Sequence, residues 1–203
     1  MSEKKDEILY TYNSNVYLNI TNVCPCHCNF CIRNTSDSVG ESSNLWLSHN
    51  PTFEDVKAAI DAFDFAPYSE VVFCGYGEPT SSFKVLVKTA QYLRSMSLKT
   101  RINTNGLGSL IHGRSIVKEL CENVDFISIS LNAPTAEKYN EIVHPKFGIK
   151  SFDAMLDFAR ECKRYTENLM FSVVDVISEE DIEACRRLAD EIGIKLRVRV
   201  YTP

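Results

Sequence analysis

Val71-Val72-Phe73-Cys74-Gly75-Tyr76-Gly77-Glu78-Pro79 is a four-residue apolar run that ends in two glycines and a proline. A continuous apolar run this short fits a strand covered on both faces, as in parallel sheets. Gly-x-Gly followed by Pro neither extends a strand nor lies inside a helix, so a turn begins at Gly75. Beyond it Phe83, Leu86, Ala90 and Leu93 recur at helical spacing. Strand, turn and helix form one unit.

The same unit repeats in both directions. Upstream, Val16 to Ile20 is β-rich and runs directly into a cysteine cluster. After a long loop over 33–51, Thr52 and Asp55 read as a capping pair ahead of a stripe of Phe53, Val56, Ile60 and Phe63. Downstream come a strand over 99–104, a helix marked by Ile116, Val117 and Leu120, and a strand over 126–131. A helix carrying Phe152, Met155, Leu156, Ala159 and Cys162 precedes a strand over 171–177. Ser178 and Asp181 cap the last helix (Ile182, Cys185, Leu188, Ile192), which stops at Gly193, and 196–201 is the final strand. Six strands and five helices in strict alternation predict an α/β fold with a parallel sheet and right-handed crossovers. Six units suit an open, partial (β/α)6 TIM-like barrel, since a closed eight-fold one needs about 250 residues. One core domain over 1–203 is expected, with 1–14 as an N-terminal extension.

The 203 residues are 44% hydrophobic and 24% charged, with 8 Gly and 7 Pro, which excludes disorder, collagen-like repeats and coiled coil. A net charge of −5 argues against broad binding to nucleic acid or an anionic membrane. Met1 to Glu7 is a charged run with no apolar segment behind it, and no stretch approaches the roughly 20 apolar residues of a membrane span. A cytoplasmic location follows, and there eight cysteines are not a disulfide framework.

Cys74, Cys121, Cys162 and Cys185 are scattered and read as small buried apolar residues. Cys24-Pro25-Cys26-His27-Cys28-Asn29-Phe30-Cys31 is different. It contains C-x3-C-x2-C, and thiolates are soft ligands suited to zinc or iron–sulfur sites. A structural zinc draws four ligands, normally from two separated pairs, and no second pair follows at that spacing. A four-thiolate zinc site that includes Cys26 is the alternative.

The polar residues of interest fall where strands end. There C-x3-C-x2-C with Phe30 before its third cysteine, Gly75 to Pro79, Thr104-Asn105-Gly106 and Ser130-Leu131-Asn132-Ala133 together resemble the radical S-adenosylmethionine (SAM) superfamily. Asn19 to Asn22, Cys31 to Arg33, Asn44 to Leu47, Phe73 to Thr80, Arg101 to Leu107 and Ile111 to Arg114 further resemble its TatD-associated members. That resemblance implies a functional link to a TatD-type nuclease.

The superfamily resemblance implies a [4Fe–4S] cluster held by Cys24, Cys28 and Cys31, with SAM on the fourth iron. Reductive cleavage of SAM would yield a 5′-deoxyadenosyl radical that abstracts hydrogen from a substrate. An electron donor of the flavodoxin or ferredoxin type is implied as well. Cys26 stands where the narrower family has an ordinary polar residue, which makes it a bystander. Phe30 would pack near the adenine, and Gly75, Tyr76, Gly77, Glu78 and Pro79 would form the turn that meets SAM's amino group. Asn103, Asn105, Ser130 and Asn132 match positions facing the ribose and methionine parts.

Arg197, Arg199 and Tyr201 alternate on the last strand and so share a face. They are either the charges of an edge strand or the lining of the barrel mouth, meeting an anionic substrate or SAM's carboxylate. Arg33, His112 and Arg114 lie in strand-end loops and are candidates to join them, whereas His49 and His144 read as loop surface. The activity expected is therefore SAM-dependent radical chemistry on a small, anionic substrate. The alternatives are an activase that places a radical on a partner protein, and a zinc-binding interaction module.

Overall fold

A computed structural model describes residues 6–201. Seven strands form one sheet in chain order: β1 (Leu9–Tyr12), β2 (Asn15–Leu18), β3 (Glu70–Phe73), β4 (Lys99–Thr104), β5 (Phe126–Ser130), β6 (Leu169–Val174) and β7 (Lys195–Arg199). β2 to β7 run parallel, each paired to the one before, and β1 adds antiparallel to β2. Among the described residues β7 does not pair back to β1, so the sheet is open. The expected partial (β/α)6 barrel is present.

The helices are α1 (Phe53–Asp61), α2 (Phe83–Ser95), α3 (Gly108–His112), α4 (Val117–Asn123), α5 (Ala136–Val143), α6 (Lys150–Lys163) and α7 (Glu179–Ile192). Thr52 and Asp55 make the anticipated capping box on α1, and the Ser178 side chain caps α7. Several boundaries differ from the sequence reading. Leu9–Tyr12, within the stretch read as an extension, is a strand, because Tyr10 and Ile8 bury against the sheet. The β5–β6 connection holds α5 as well as α6. The last strand stops at Arg199, not Tyr201, and the sixth begins at Leu169 and ends at Val174.

The two faces of the sheet differ in chemistry. Val16, Leu18, Val71, Phe73, Ile102, Ile127, Ile129 and Phe171 pack with Val56, Ile60, Leu86, Leu93, Leu120 and Met155 from the helices in one apolar core. On the other face Tyr17, Val72 and Arg101 lie in register, as do Asn103, Ser128 and Met170, and Ser130, Ser172 and Arg197. A closed barrel fills its interior with branched apolar side chains. This inner face is largely polar, so it is a surface for a ligand rather than a packed core.

Candidate active site

The Cys24–Cys31 segment leaves β2 through Asn19 to Asn22, which form no helix or strand. Asn19 and Thr21 shape the path. The turn after β3 runs alongside them: Cys74 N donates to Leu18 O (3.1 Å), Tyr76 N to Asn19 Oδ1 (3.3 Å) and Glu78 N to Val23 O (2.9 Å). A Cβ on Gly75 would collide with Asn19 Oδ1, and one on Gly77 with the carbonyl of Thr21. Both glycines are therefore demanded by the approach of the chain to itself.

Glu78 is 4% exposed, and its carboxylate faces inward. Oε1 accepts from Thr80 N (3.1 Å), Thr80 Oγ1 (2.7 Å) and Thr104 Oγ1 (2.7 Å), and Oε2 accepts from Asn105 N (2.8 Å). Burial raises its pKa, opposed by those four hydrogen bonds. Glu78 thus ties the end of β3 to the end of β4, and SAM, if it meets this turn, meets its backbone. Pro79 opens a short 3-10 turn. Tyr76 is buried; its hydroxyl donates to Ser36 O and its ring stands edge-on to Trp46 at 5.0 Å, pinning the loop over 33–51. Burial, then Asp37, pushes this phenol up to about 12.

Cys24, Cys28 and Cys31 are partly exposed, whereas Cys26 is 3% exposed and lies in the apolar core. Asn105 Nδ2 lies 3.5 Å from Cys26 Sγ and 4.0 Å from Cys24 Sγ. The neighbouring Cys24 and Cys26 thiols act on each other, which lowers the pKa of Cys24 and raises that of Cys26. Burial pushes Cys28 up to about 12 and raises Cys31, with the Arg33 guanidinium acting against burial at both. Arg33 spans the site: Nη2 donates to Cys26 O (3.0 Å) and Nη1 to Tyr76 O (3.3 Å). Among the described residues no three His, Cys, Asp or Glu side chains converge at metal-coordination geometry.

Helix α5 holds this loop from the other side. His27 N and Asn29 N donate to Val143 O and Ile142 O (both 3.0 Å), Lys146 N donates to Pro25 O (2.7 Å), and Cys26 pairs with Pro145 in an isolated bridge. The side chains of Asn29 and His144 meet at 2.9 Å. α5 was absent from the sequence reading; its signal is the cap of Thr135, which accepts from Lys138 N.

A cavity of about 120 Å³ opens on the inner face beside this loop. Tyr10, Tyr17, Ile32, Cys74, Asn103 and Arg199 are among its walls. Tyr10 and Tyr17 stack at 5.2 Å, and Tyr10 OH donates to Cys74 O (3.3 Å). The hairpin tyrosines were not singled out from sequence, although their alternate spacing places them on the sheet. Arg101, in register with Val72, has Nε 2.8 Å from Glu70 Oε2 but off the line of a hydrogen bond. Arg199 makes no ion pair among the described residues.

The other candidates are spread more widely. Phe30 is half-buried on the cysteine loop. Ser130 ends β5, and Asn132 follows it, buried, at φ +59°. Arg197 is exposed on the edge strand. Tyr201 lies past the end of β7, with its N–H on Asp175 Oδ1 (2.6 Å). His112 donates to Thr80 O (2.8 Å) and Arg114 pairs with Glu119 on the surface, so neither reaches the cysteines. His49 is exposed beside Asp6 and Asp55. No described helix is long and apolar enough to cross a membrane.

Residues 18–192 match the Radical SAM superfamily. Among solved structures, a radical SAM methyltransferase from Sphaerobacter thermophilus aligns with TM-score 0.65 at 17% identity, over 96% of this chain and 59% of that one. SuiB of Streptococcus suis aligns with TM-score 0.64 at 18% identity, over 89% and 38%. The protein titled anSMEcpe, with bound AdoMet, aligns with TM-score 0.62 at 21% identity, over 92% and 50%. The chain therefore spans less than two thirds of the length of each of these three. No curated protein matches it.

Proposed function

The chain belongs to the radical SAM superfamily, and we propose that Cys24, Cys28 and Cys31 are the three ligands of its [4Fe–4S] cluster. It is an enzyme whose cofactors are that cluster and SAM. When bound, they supply a 5′-deoxyadenosyl radical that takes a hydrogen atom from a substrate. The donor set suits the group: three partly exposed thiols lie on one loop without helix or strand, beyond the sheet's C-terminal edge. Cys26, buried in the apolar core, is left outside it.

The chain's own residues carry out the remaining work. Arg33 fixes the carbonyls of Cys26 and Tyr76, and Glu78 locks the turn over 75–79 against Asn105. Phe30, Asn103, Asn105, Ser130, Asn132, Arg199 and Tyr201 are proposed to orient SAM. The substrate is proposed to be small and anionic, because Arg199 brings positive charge to the cavity on the inner face and has no ion-pair partner among the described residues. Asn19 and Asn22 donate to Leu45 O (2.7 Å) and Leu47 O (2.8 Å), which unites two of the motifs that resemble the TatD-associated proteins. The narrower assignment, a link to a TatD-type nuclease, a flavodoxin- or ferredoxin-type electron donor and a cytoplasmic setting are proposed on the resemblance of those motifs.

The observation that carries this reading is the family match over residues 18–192, which runs through the C-terminal ends of β2 to β6. Anaerobic reconstitution with iron and sulfide tests it. The product is expected to be brown, with about four irons, and to form 5′-deoxyadenosine from SAM under reduction. Colourless protein with stoichiometric zinc would overturn it.

A further inference from the structure

A second cavity, of about 380 Å³, lies away from the cysteine loop at the tip of the β1–β2 hairpin. That volume falls within the range of small-molecule pockets, roughly 300–1,000 Å³. Three segments enclose it: the hairpin end from Thr11 to Ser14, Gly40 and Glu41 of the loop over 33–51, and Pro67 and Tyr68 ahead of β3. None of these residues is among those proposed to hold the cluster or SAM.

The wall is built around one carboxylate. Gly40 sits at φ +60°, and a Cβ there would collide with the carbonyl of Thr11, so the loop lies directly on the outer edge of β1. The next residue is then held twice by Thr11. Glu41 N donates to Thr11 O (3.1 Å), and Glu41 Oε2 accepts from Thr11 Oγ1 (2.6 Å). Oε1 has no partner, and no Lys, Arg or His pairs with Glu41, among the described residues. Glu41 is also the one charged side chain among the described residues that line this cavity.

Two tyrosines stand beside it. Tyr68 is half-buried and braced against Phe63 at 5.5 Å. Tyr12 is 37% exposed, with its ring edge-on to Tyr17 at 6.2 Å. A carboxylate with a spare oxygen accepts strongly from a charged N–H donor, and aromatic rings attract the same charge and cover an alkyl chain. A cavity with these walls and no cation of its own suits a positively charged organic group.

We infer that this groove is a binding site for an organic cation, an alkylammonium group that donates to Glu41 Oε1 and lies against the Tyr12 and Tyr68 rings. Tyr12 also lines the smaller cavity on the inner face, so the two ligand spaces meet at its ring. The site is independent of the ligand assignment for the cluster.

The test is anaerobic calorimetric titration with n-butylammonium, n-butyrate and n-butanol, on cluster-replete and on iron-free protein, at about 0.15 M salt to screen long-range attraction. Saturable binding of n-butylammonium is expected, with n-butanol at least tenfold weaker and n-butyrate not bound. Glu41→Gln is expected to weaken n-butylammonium at least tenfold, and Tyr12→Leu at least threefold. Glu191→Gln, which removes an exposed carboxylate from α7, is expected to leave the affinity within twofold. Absence of saturable binding overturns the inference, as does an unchanged affinity in Glu41→Gln. Equal losses in Glu41→Gln and Glu191→Gln overturn it too, since they show attraction to the net charge alone. Equal affinity for n-butanol makes the groove merely apolar and has the same consequence. Protein that loads no iron fails the cluster assignment, and the iron-free titration still decides this site.

Discussion

Cys26 lies two residues from Cys24 and two from Cys28, yet its surroundings are those of a core residue, with Pro145 bridged to its backbone. Replacing Cys24, Cys28 or Cys31 by Ala is expected to abolish SAM cleavage and cluster iron. Cys26→Ala is expected to keep the iron at a stability cost of about 1 kcal/mol. Iron analysis of the four variants checks this, and equal loss in Cys26→Ala and Cys28→Ala would remove the assignment. Glu78 gives a pH prediction. Its folded pKa is raised above the ordinary 4.5, so the folded state holds the proton more tightly than the unfolded chain. That contribution to stability is complete below pH 4.5 and is lost as pH rises through the folded value. The stability advantage of wild type over Glu78→Gln is therefore expected to be larger near pH 4 than at pH 7, by urea unfolding of the iron-free protein. From the sequence, Glu78 belongs to a ligand-facing turn. That its carboxylate turns inward depends on donors from Thr104 and Asn105, which lie 26 and 27 residues away.

Among the elements, β1 and α5 escaped the sequence reading for different reasons. β1 and β2 are joined by Asn13-Ser14, both at positive φ (46° and 62°), in a two-residue turn without the glycine that usually marks one. Ser14→Gly is expected to stabilise the protein by about 0.5 kcal/mol, and Ser14→Val to destabilise it by more than about 1 kcal/mol. Equilibrium urea unfolding checks both, and equal midpoints would mean that the turn is not under strain. α5 spans only eight residues and buries just Tyr139 and Val143, too few for a visible stripe. The strand–turn–helix units at β3–α2 and β6–α7 were legible because each carries a long apolar run, a cap or a terminating glycine. The cysteine loop, the turn over 75–79 and Asn105 were legible as a site because motif and topology put them at neighbouring strand ends. Tyr10 was not, since its place on the inner face follows from the unseen β1, against which Tyr17 of the strand that was read stacks.

For the molecule as a whole, an open sheet with a polar inner face leaves Arg199 on an edge strand but beside Tyr10 and Tyr17 in the cavity wall. A plain edge charge would change little on replacement, about 0.5 kcal/mol or less. An anion clamp in the mouth predicts otherwise: Arg199→Gln is expected to weaken SAM binding at least tenfold, about 1.4 kcal/mol, with cluster iron retained. Equilibrium binding on cluster-replete protein measures this, and unchanged affinity returns Arg199 to the edge. The sheet's order has a further consequence in time. Because each strand pairs with its predecessor, the ribosome lays the sheet down in the order in which it assembles. The cysteine loop must wait, since its anchor on α5 lies 112 residues farther on, at Glu141. At synthesis rates of about 5–20 residues per second, the thiols spend roughly ten seconds outside the tunnel before their tether emerges.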